Sequence, residues 1–351
     1  MASLIIRPAT SPTPAASPRA QAEMVAPAVE AHEGLRYLRP DEYPLWDALV
    51  ETSPQGSVFC RSWCLNAVSG ESRILGFFDK GRLVAGIPLH FEKRFGITLC
   101  CMSKLTPAWG VVMEPLQGKR ATAAAREMEI LGIFAKRLAQ ERNFVQAFHP
   151  SLKNWLPFYW MGFRQTSRFT YVLDDLRDPS QIWNEMRDSC RRQIRKAEKS
   201  GVVVSACDPE TVLEAAHKTF HRQGIKQTYT DQDFLTLSHA ALEKDSGICF
   251  AARDGSGKVH AAAFLIWDRK RAYYLAGGGD PTLRESGATS LLMWHLIQYS
   301  AARSAVFDFE GSLIEPIERF FRTFGARQEP YNFVTKFPRW MGACLLLAGR
   351  I

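Results

Sequence analysis

The chain has 351 residues, 46% of them apolar and 23% charged, with a formal net charge of +8. That balance describes a soluble globular protein with one large domain or about two of ordinary size, and its positive excess favours an anionic partner such as a phosphate-bearing cofactor, nucleic acid or a membrane surface. Cysteines at 60, 64, 100, 101, 190, 207, 249 and 344 form no CxxC pair and no clustered His/Cys spacing, which argues against structural zinc and favours a reduced, cytoplasmic protein.

Residues 1–33 are rich in Ala, Pro and Ser without helical or strand period, a disordered tail whose apolar run Leu4-Ile5-Ile6 is too short for a signal-peptide core of roughly 7 to 15 residues. A strand at 35–38 leads to a helix opened by Pro40-Asp41-Glu42 and a second short helix at 57–68. Strands follow at 73–79, 83–91 and 96–105, the first two joined by the hairpin turn Asp79-Lys80-Gly81-Arg82, and then the loop Thr106-Pro107-Ala108-Trp109-Gly110. Residues 121–142 carry Met128, Leu131, Phe134, Ala135 and Leu138 on one helical side. A strand at 144–148 ends at His149-Pro150, where a surface histidine is expected. A short aromatic helix stops at Gly162 before a strand at 168–173.

After Asp175 the pattern restarts. Asp178 caps a helix in which Trp183, Met186, Cys190, Ile194 and Ala197 form one buried stripe as far as Gly201. The spacing places a strand at 202–205, helices at 209–222 and 231–243, and strands at 248–253, 259–267 and 272–276. A loop, Gly277-Gly278-Gly279-Asp280, leads through Arg284 and Gly287 into a helix at 288–303. On the next strand Val306, Asp308 and Glu310 share one face, and Phe307 and Phe309 the other. Acids on a covered strand are costly without partners. An aromatic helix ending at Gly325 and a strand at 331–337 close the pattern. The apolar run 340–349, within a tail at 339–351, is too short for a bilayer that needs about 20 residues; it reads as a docked helix or a segment touching the membrane surface.

The halves repeat one order of elements, down to Phe158 and Phe321, each four residues before Gly162 and Gly325. This order resembles the GCN5-related N-acetyltransferase (GNAT) fold, and its duplication resembles the FemABX-like branch. The resemblance rests on the basic helix Ser189 to Lys199, on Phe307-Asp308-Phe309-Glu310-Gly311-Ser312 with Ile317 to Gly325, on Ser57-Val58-Phe59 before Trp63, and on Pro107-Ala108-Trp109-Gly110. It implies an α/β fold with α+β mixed sheets: two tandem GNAT-like domains at 34–165 and 166–338, each a mostly antiparallel sheet with helices on both faces, the second catalytic.

Arg191, Arg192, Arg195 and Lys196, with Lys199, form a cationic band opposite the buried stripe. It can hold phosphates or be an ordinary solvated face. Arg284 to Ala288 sits where the family cradles the coenzyme A pyrophosphate on a helix N-terminus, with Thr289 departing from its pattern; a plain Gly-rich turn into a helix fits as well. Glu310 and Asp308 are the acid/base candidates for deprotonating an amine. The alternative is that Asp308 pairs with an arginine and Glu310 accepts N–H bonds in the Gly311 turn. Tyr331 and Tyr274 are candidates for protonating a leaving group, or core residues. The resemblance adds Ala276 and Tyr274 beside the donor, and Trp109 and Phe320 beside the acceptor. It implies an N-acyltransferase using acyl-CoA, without metal, on a small amine or phosphate-bearing acceptor such as an envelope or polysaccharide precursor. The alternatives are aminoacyl-tRNA-dependent transfer, with tRNA and not DNA as nucleic-acid partner, and a non-catalytic anion- or RNA-binding protein.

Overall fold

The computed structural model describes residues 34–68, 72–94, 96–311 and 314–338. Both tails and Ser312 lie outside the described residues. The first half contains β1 (Gly34–Tyr37), α1 (Tyr43–Thr52), α2 (Ser62–Val68), β2 (Ser72–Asp79), β3 (Arg82–Arg94), β4 (Ile97–Cys101), β5 (Val112–Met113), α3 (Arg120–Leu138), β6 (Phe144–Ala147) and α4 (Leu156–Trp160). β7 (Arg164–Leu173) leads into α5 (Pro179–Glu185), α6 (Asp188–Lys199), β8 (Val203–Ala206), α7 (Pro209–Gln223), α8 (Asp231–Glu243), β9 (Gly247–Arg253), β10 (Val259–Trp267) and β11 (Arg271–Gly279). The chain ends its described course with α9 (Ala288–Ala301), β12 (Val306–Asp308), α10 (Glu315–Arg322) and β13 (Arg327–Lys336).

All these strands join one sheet, in the order β1-β2-β3-β4-β6-β13-β7-β12-β11-β10-β9-β8, with β5 added to β3. β4 with β6 and β11 with β12 are parallel, and the central β13 and β7 are antiparallel from Arg327↔Val172 to Thr335↔Arg164. Each half therefore hands its closing strand to the other: β7 pairs with β12 and β13 with β6. The expected 165/166 junction falls inside β7. Trp46 and Phe59 of the first half share a core with Phe234, Phe264 and Tyr273 of the second. Separate cores lie under α3 and under α6, α9 and α10.

Two expectations are corrected. The helix expected to run unbroken from 178 to 201 is two helices, because the Arg187 N–H leaves the helical ladder and donates to the Thr323 carbonyl at 2.9 Å. The glycines 277–279 belong to β11 and not to a loop. Gly278 is required by packing, since a Cβ there would lie 2.1 Å from the Ala215 carbonyl oxygen of α7. Among the described residues, no helix is long and apolar enough to cross a membrane.

Lys270 fastens the halves together. Its ammonium donates to the carbonyls of Val50 and Ser53, both at 2.9 Å, and so satisfies the C-terminal end of α1 from across the molecule. Charge-assisted bonds of this kind contribute about 1.5–3 kcal/mol. Lys270→Met, which keeps the stem and removes the donor, is expected to lower unfolding stability by about 2 kcal/mol, read from the urea midpoint.

Candidate active site

β12 ends on a carboxylate with every bond in place. Asp308 is 4% exposed and accepts from the Thr170 hydroxyl, from Arg271 Nη1 at 2.8 Å and from the Glu310 backbone N–H at 2.7 Å. Arg271 turns its other nitrogen to Glu329 at 3.0 Å. Burial raises the Asp308 carboxyl above its ordinary pKa, with the Arg271 guanidinium, the Thr170 hydroxyl and the Glu310 N–H opposing the shift; the ion pair with Arg271 and the three donated bonds are those of a carboxylate. Asp308 is thus the arginine-paired acid of the structural alternative, and it anchors the next turn.

That turn is left-handed at two successive residues, Glu310 (φ +60°) and Gly311 (φ +47°). Gly311 is needed on two counts, its φ and its packing: a Cβ would lie 2.2 Å from the Phe169 carbonyl oxygen. Glu310 has no such exemption, and a non-glycine residue held there costs on the order of 1–3 kcal/mol. The expected turn bonds to its side chain are absent: Oε1 is buried with no hydrogen-bond partner. Burial, and then the charge on Asp308, hold its pKa well above the usual carboxylate range.

Glu310 faces a cavity of about 30 Å³, room for one or two waters, at the seam of the two halves. Phe59, Pro107, Ala108, His149 and Pro150 line it from the first half, and Thr170, Tyr273, Asp308, Glu310 and Tyr331 line it from the central strands. Burial pushes the Tyr331 hydroxyl up, so it stays protonated. His149 is not a surface residue: it is 7% exposed, and burial followed by the charges of Arg271, Lys270 and Lys153 keeps its ring neutral.

The structure separates the other candidates from this cavity. Trp109 is fully buried, its indole N–H donating to the Phe59 carbonyl at 2.9 Å, so it braces the wall and does not face an acceptor. Its backbone also fills the first half's own cleft, bonding Ala147 and His149 at 2.8 Å beside β6. The corresponding cleft in the second half is different. β12 pairing stops at Tyr273↔Asp308, and β11 runs on to Gly279 with register partners on β10 alone, bulged at Leu275 just before Ala276. Tyr274 lies on that stretch, its hydroxyl pushed up by burial.

Arg284 is exposed at the end of a 3-10 turn, and Gly287 (φ +80°) is buried under α6, where a Cβ would lie 2.1 Å from the Gln193 carbonyl oxygen. Lys196 donates to the Glu285 carbonyl at 2.5 Å, and the Ala288 N–H is taken by Ser286 Oγ at 3.2 Å. Arg191 pairs with Asp188 and donates to the Trp183 and Asn184 carbonyls, and the Arg195 guanidinium lies 5.5 Å from the Trp183 ring centre. Arg192 is exposed, and Phe320 packs 5.2 Å from Phe324. None of these lines the cavity.

Sequence reading missed Arg271, Thr170, Tyr273 and the burial of His149. The one available signal was the repeat, in which the strand that ends at His149 corresponds to the strand that carries Asp308. Among the described residues, His90, Glu92 and Cys101 bring potential metal ligands within 4.8 Å of one another, but the Lys104 ammonium lies 3.4 Å from Glu92. Cys190 is buried and its thiol is pushed up, so it is no nucleophile.

Residues 184–322 match the family model described as an acetyltransferase (GNAT) domain. Residues 184–322 are therefore a GNAT-type acyltransferase domain, on a chain with the GNAT-superfamily fold. FemX aligns over 85% of this chain and 96% of its own, with a TM-score of 0.64 at 14% identity. The C-terminal domain of a candidate lysylphosphatidylglycerol synthetase from Agrobacterium fabrum aligns over 89% and 98% (0.54, 13%), and L-PGS from Bacillus licheniformis over 92% and 98% (0.51, 12%). The fold is thus the FemABX-like form of that superfamily. No curated protein matches the sequence significantly.

The Glu310 carboxyl gives the site a measurable stability signature. Between an ordinary pKa of 4.5 and its raised folded value, the unfolded chain has released this proton and the folded chain keeps it, so stability falls as pH rises. Glu310→Gln removes that loss. Its melting temperature is expected to exceed the wild type's by a margin that widens as pH rises above about 5 in scanning calorimetry.

Proposed function

We propose that this protein is an N-acyltransferase whose second half holds an acyl donor along the free edge of β11 and whose seam cavity brings an acceptor amine to it. The observation that carries this reading is the Glu310 carboxyl, unpartnered and held in a left-handed turn inside that cavity. The amine nitrogen attacks the acyl carbonyl carbon, forming the C–N bond and moving the π pair onto oxygen. Backbone N–H groups of β11 hydrogen-bond that oxygen. Glu310 as carboxylate takes the proton lost by nitrogen, directly or through a cavity water, and collapse breaks the bond to the leaving sulfur or oxygen, which is protonated by Tyr331. Asp308 acts on this chemistry through Glu310 by fixing its backbone. The acceptor is a small amine or phosphate-bearing amine, such as an envelope or polysaccharide precursor, used in the cytoplasm.

Acyl-CoA is the first choice of donor. α7 and α8 are joined by a short link from 224 to 230, with no long charged hairpin between them. Aminoacyl-tRNA is a second reading favoured by one observation: α6 covers the Arg284 to Ala288 loop that would cradle a coenzyme pyrophosphate, while the exposed face of α6 keeps Arg192, Arg195 and Lys199 for a nucleic-acid backbone.

Labelled acyl-CoA and aminoacyl-tRNA, each incubated with a panel of amines, separate these donors. Transfer from neither, together with salt-sensitive RNA binding, would replace the enzyme reading by RNA binding. With the active donor, the wild-type rate is expected to climb with pH as Glu310 loses its proton. Glu310→Gln should lower kcat about 100- to 10,000-fold, abolish that limb and leave donor affinity unchanged. A fully active variant would remove Glu310 from the mechanism.

A further inference from the structure

The first half brings a hydrogen-bond donor to the same cavity that the transfer step above does not use. His149 follows β6 on a backbone fixed at both ends: its N–H donates to the Trp109 carbonyl and its own carbonyl accepts from Leu152, both at 2.8 Å. The ring is fixed too, because Nδ1 accepts the Ser151 N–H at 3.2 Å. A neutral imidazole whose Nδ1 accepts carries its proton on Nε2. Among the described residues Nε2 is given no hydrogen-bond partner, and His149 lines the cavity.

We propose that His149 is a catalytic oxyanion donor, its Nε2–H hydrogen-bonding the acyl oxygen as amine attack turns the carbonyl into an alkoxide. This rests on the acyl-transfer reading of the same cavity. Two groups of opposite hydrogen-bond polarity line a space of about 30 Å³: a carboxyl that accepts a proton and an imidazole that can only donate. In this assignment the reacting carbonyl lies between the two. His149 cannot be the base, because its single lone pair is spent on Ser151. Nor does it become a cation. Burial first, and then the charges of Arg271, Lys270 and Lys153, disfavour the imidazolium; Asp308 is already paired with Arg271, and Glu310, Tyr273 and Tyr331 are protonated in the free protein. A neutral imidazole stabilises an oxyanion without surrendering its proton, as in known enzymes that polarise a carbonyl in this way. The site is then composite, with base and donor strand from the second half and a second oxyanion contact from the first.

Two substitutions and one spectroscopic measurement test this. His149→Phe keeps a ring and loses the donor, and is expected to lower kcat about 100- to 1,000-fold with the donor KM unchanged. His149→Gln restores an N–H and is expected to recover activity to within about tenfold of wild type. In 15N-histidine spectra of the whole protein, His149 should show the neutral Nε2–H form between about pH 5.5 and about pH 8. A His149→Phe protein at the wild-type rate, equal losses in Phe and Gln variants that both melt like wild type, or an Nδ1–H or imidazolium spectrum would each overturn the assignment. A wild type that transfers no acyl group from any donor is the separate failure of the acyl-transfer reading; it would remove the oxyanion and overturn this role with it, whatever the spectrum.

Discussion

The centre of this protein depends on one buried ion pair. Arg271 and Asp308 face each other at 2.8 Å with side chains 11% and 5% exposed. Asp308 also accepts from Thr170 on β7, and Arg271 also donates to Glu329 on β13. One guanidinium and one carboxylate therefore tie together β7, β11, β12 and β13, the strands on which the two halves meet. Such a pair need not add net stability over apolar packing, but removing one partner strands the other charge at a cost of about 3–5 kcal/mol. The pair has a second consequence. With one Asp308 oxygen committed to the Glu310 N–H, the chain leaves β12 in a left-handed turn, and the next carboxyl is directed into the cavity without a counter-ion of its own. Two acids two residues apart are thereby given opposite roles by their surroundings, one saturated and charged, the other desolvated and able to exchange a proton.

The exchange of closing strands explains why the cavity belongs to neither half. β7 and β13 cross over, so Thr170 and Tyr331 reach the seam from strands that each half has given to the other. The same arrangement makes the halves unequal. In the first, the Trp109 loop hydrogen-bonds alongside β6 and fills its own cleft; in the second, β11 continues past the end of β12. The duplicated plan thus yields one open strand edge and one wall, and the wall presents His149 to the edge.

The GNAT-superfamily plan was legible because it is written in local signals. Hairpin turns, a capping aspartate at 178, the αL glycines 162 and 325 and the repeated aromatic helices are set by neighbours in the chain, and they appear in the structure where the sequence places them. Legibility failed where a distant segment outbid a local rule. The helix at 178–201 breaks because Thr323 offers Arg187 a better acceptor, and the glycines 277–279 form a strand because α7 leaves no room for side chains there.

For the site, the sequence by itself determined that two acids, Asp308 and Glu310, stand at the end of a strand ahead of an aromatic helix; the two-residue period that put both on one strand face stops at Asp308, where β12 ends and Glu310 enters a left-handed turn. It left open which of the two was spent on structure. Only the tertiary structure decided that, since Arg271, Thr170 and Glu329 come from other strands and lie 37, 138 and 21 residues away from Asp308 in the chain. Only the tertiary structure brought His149 to the same cavity, because strand exchange at the seam has no local sequence signature.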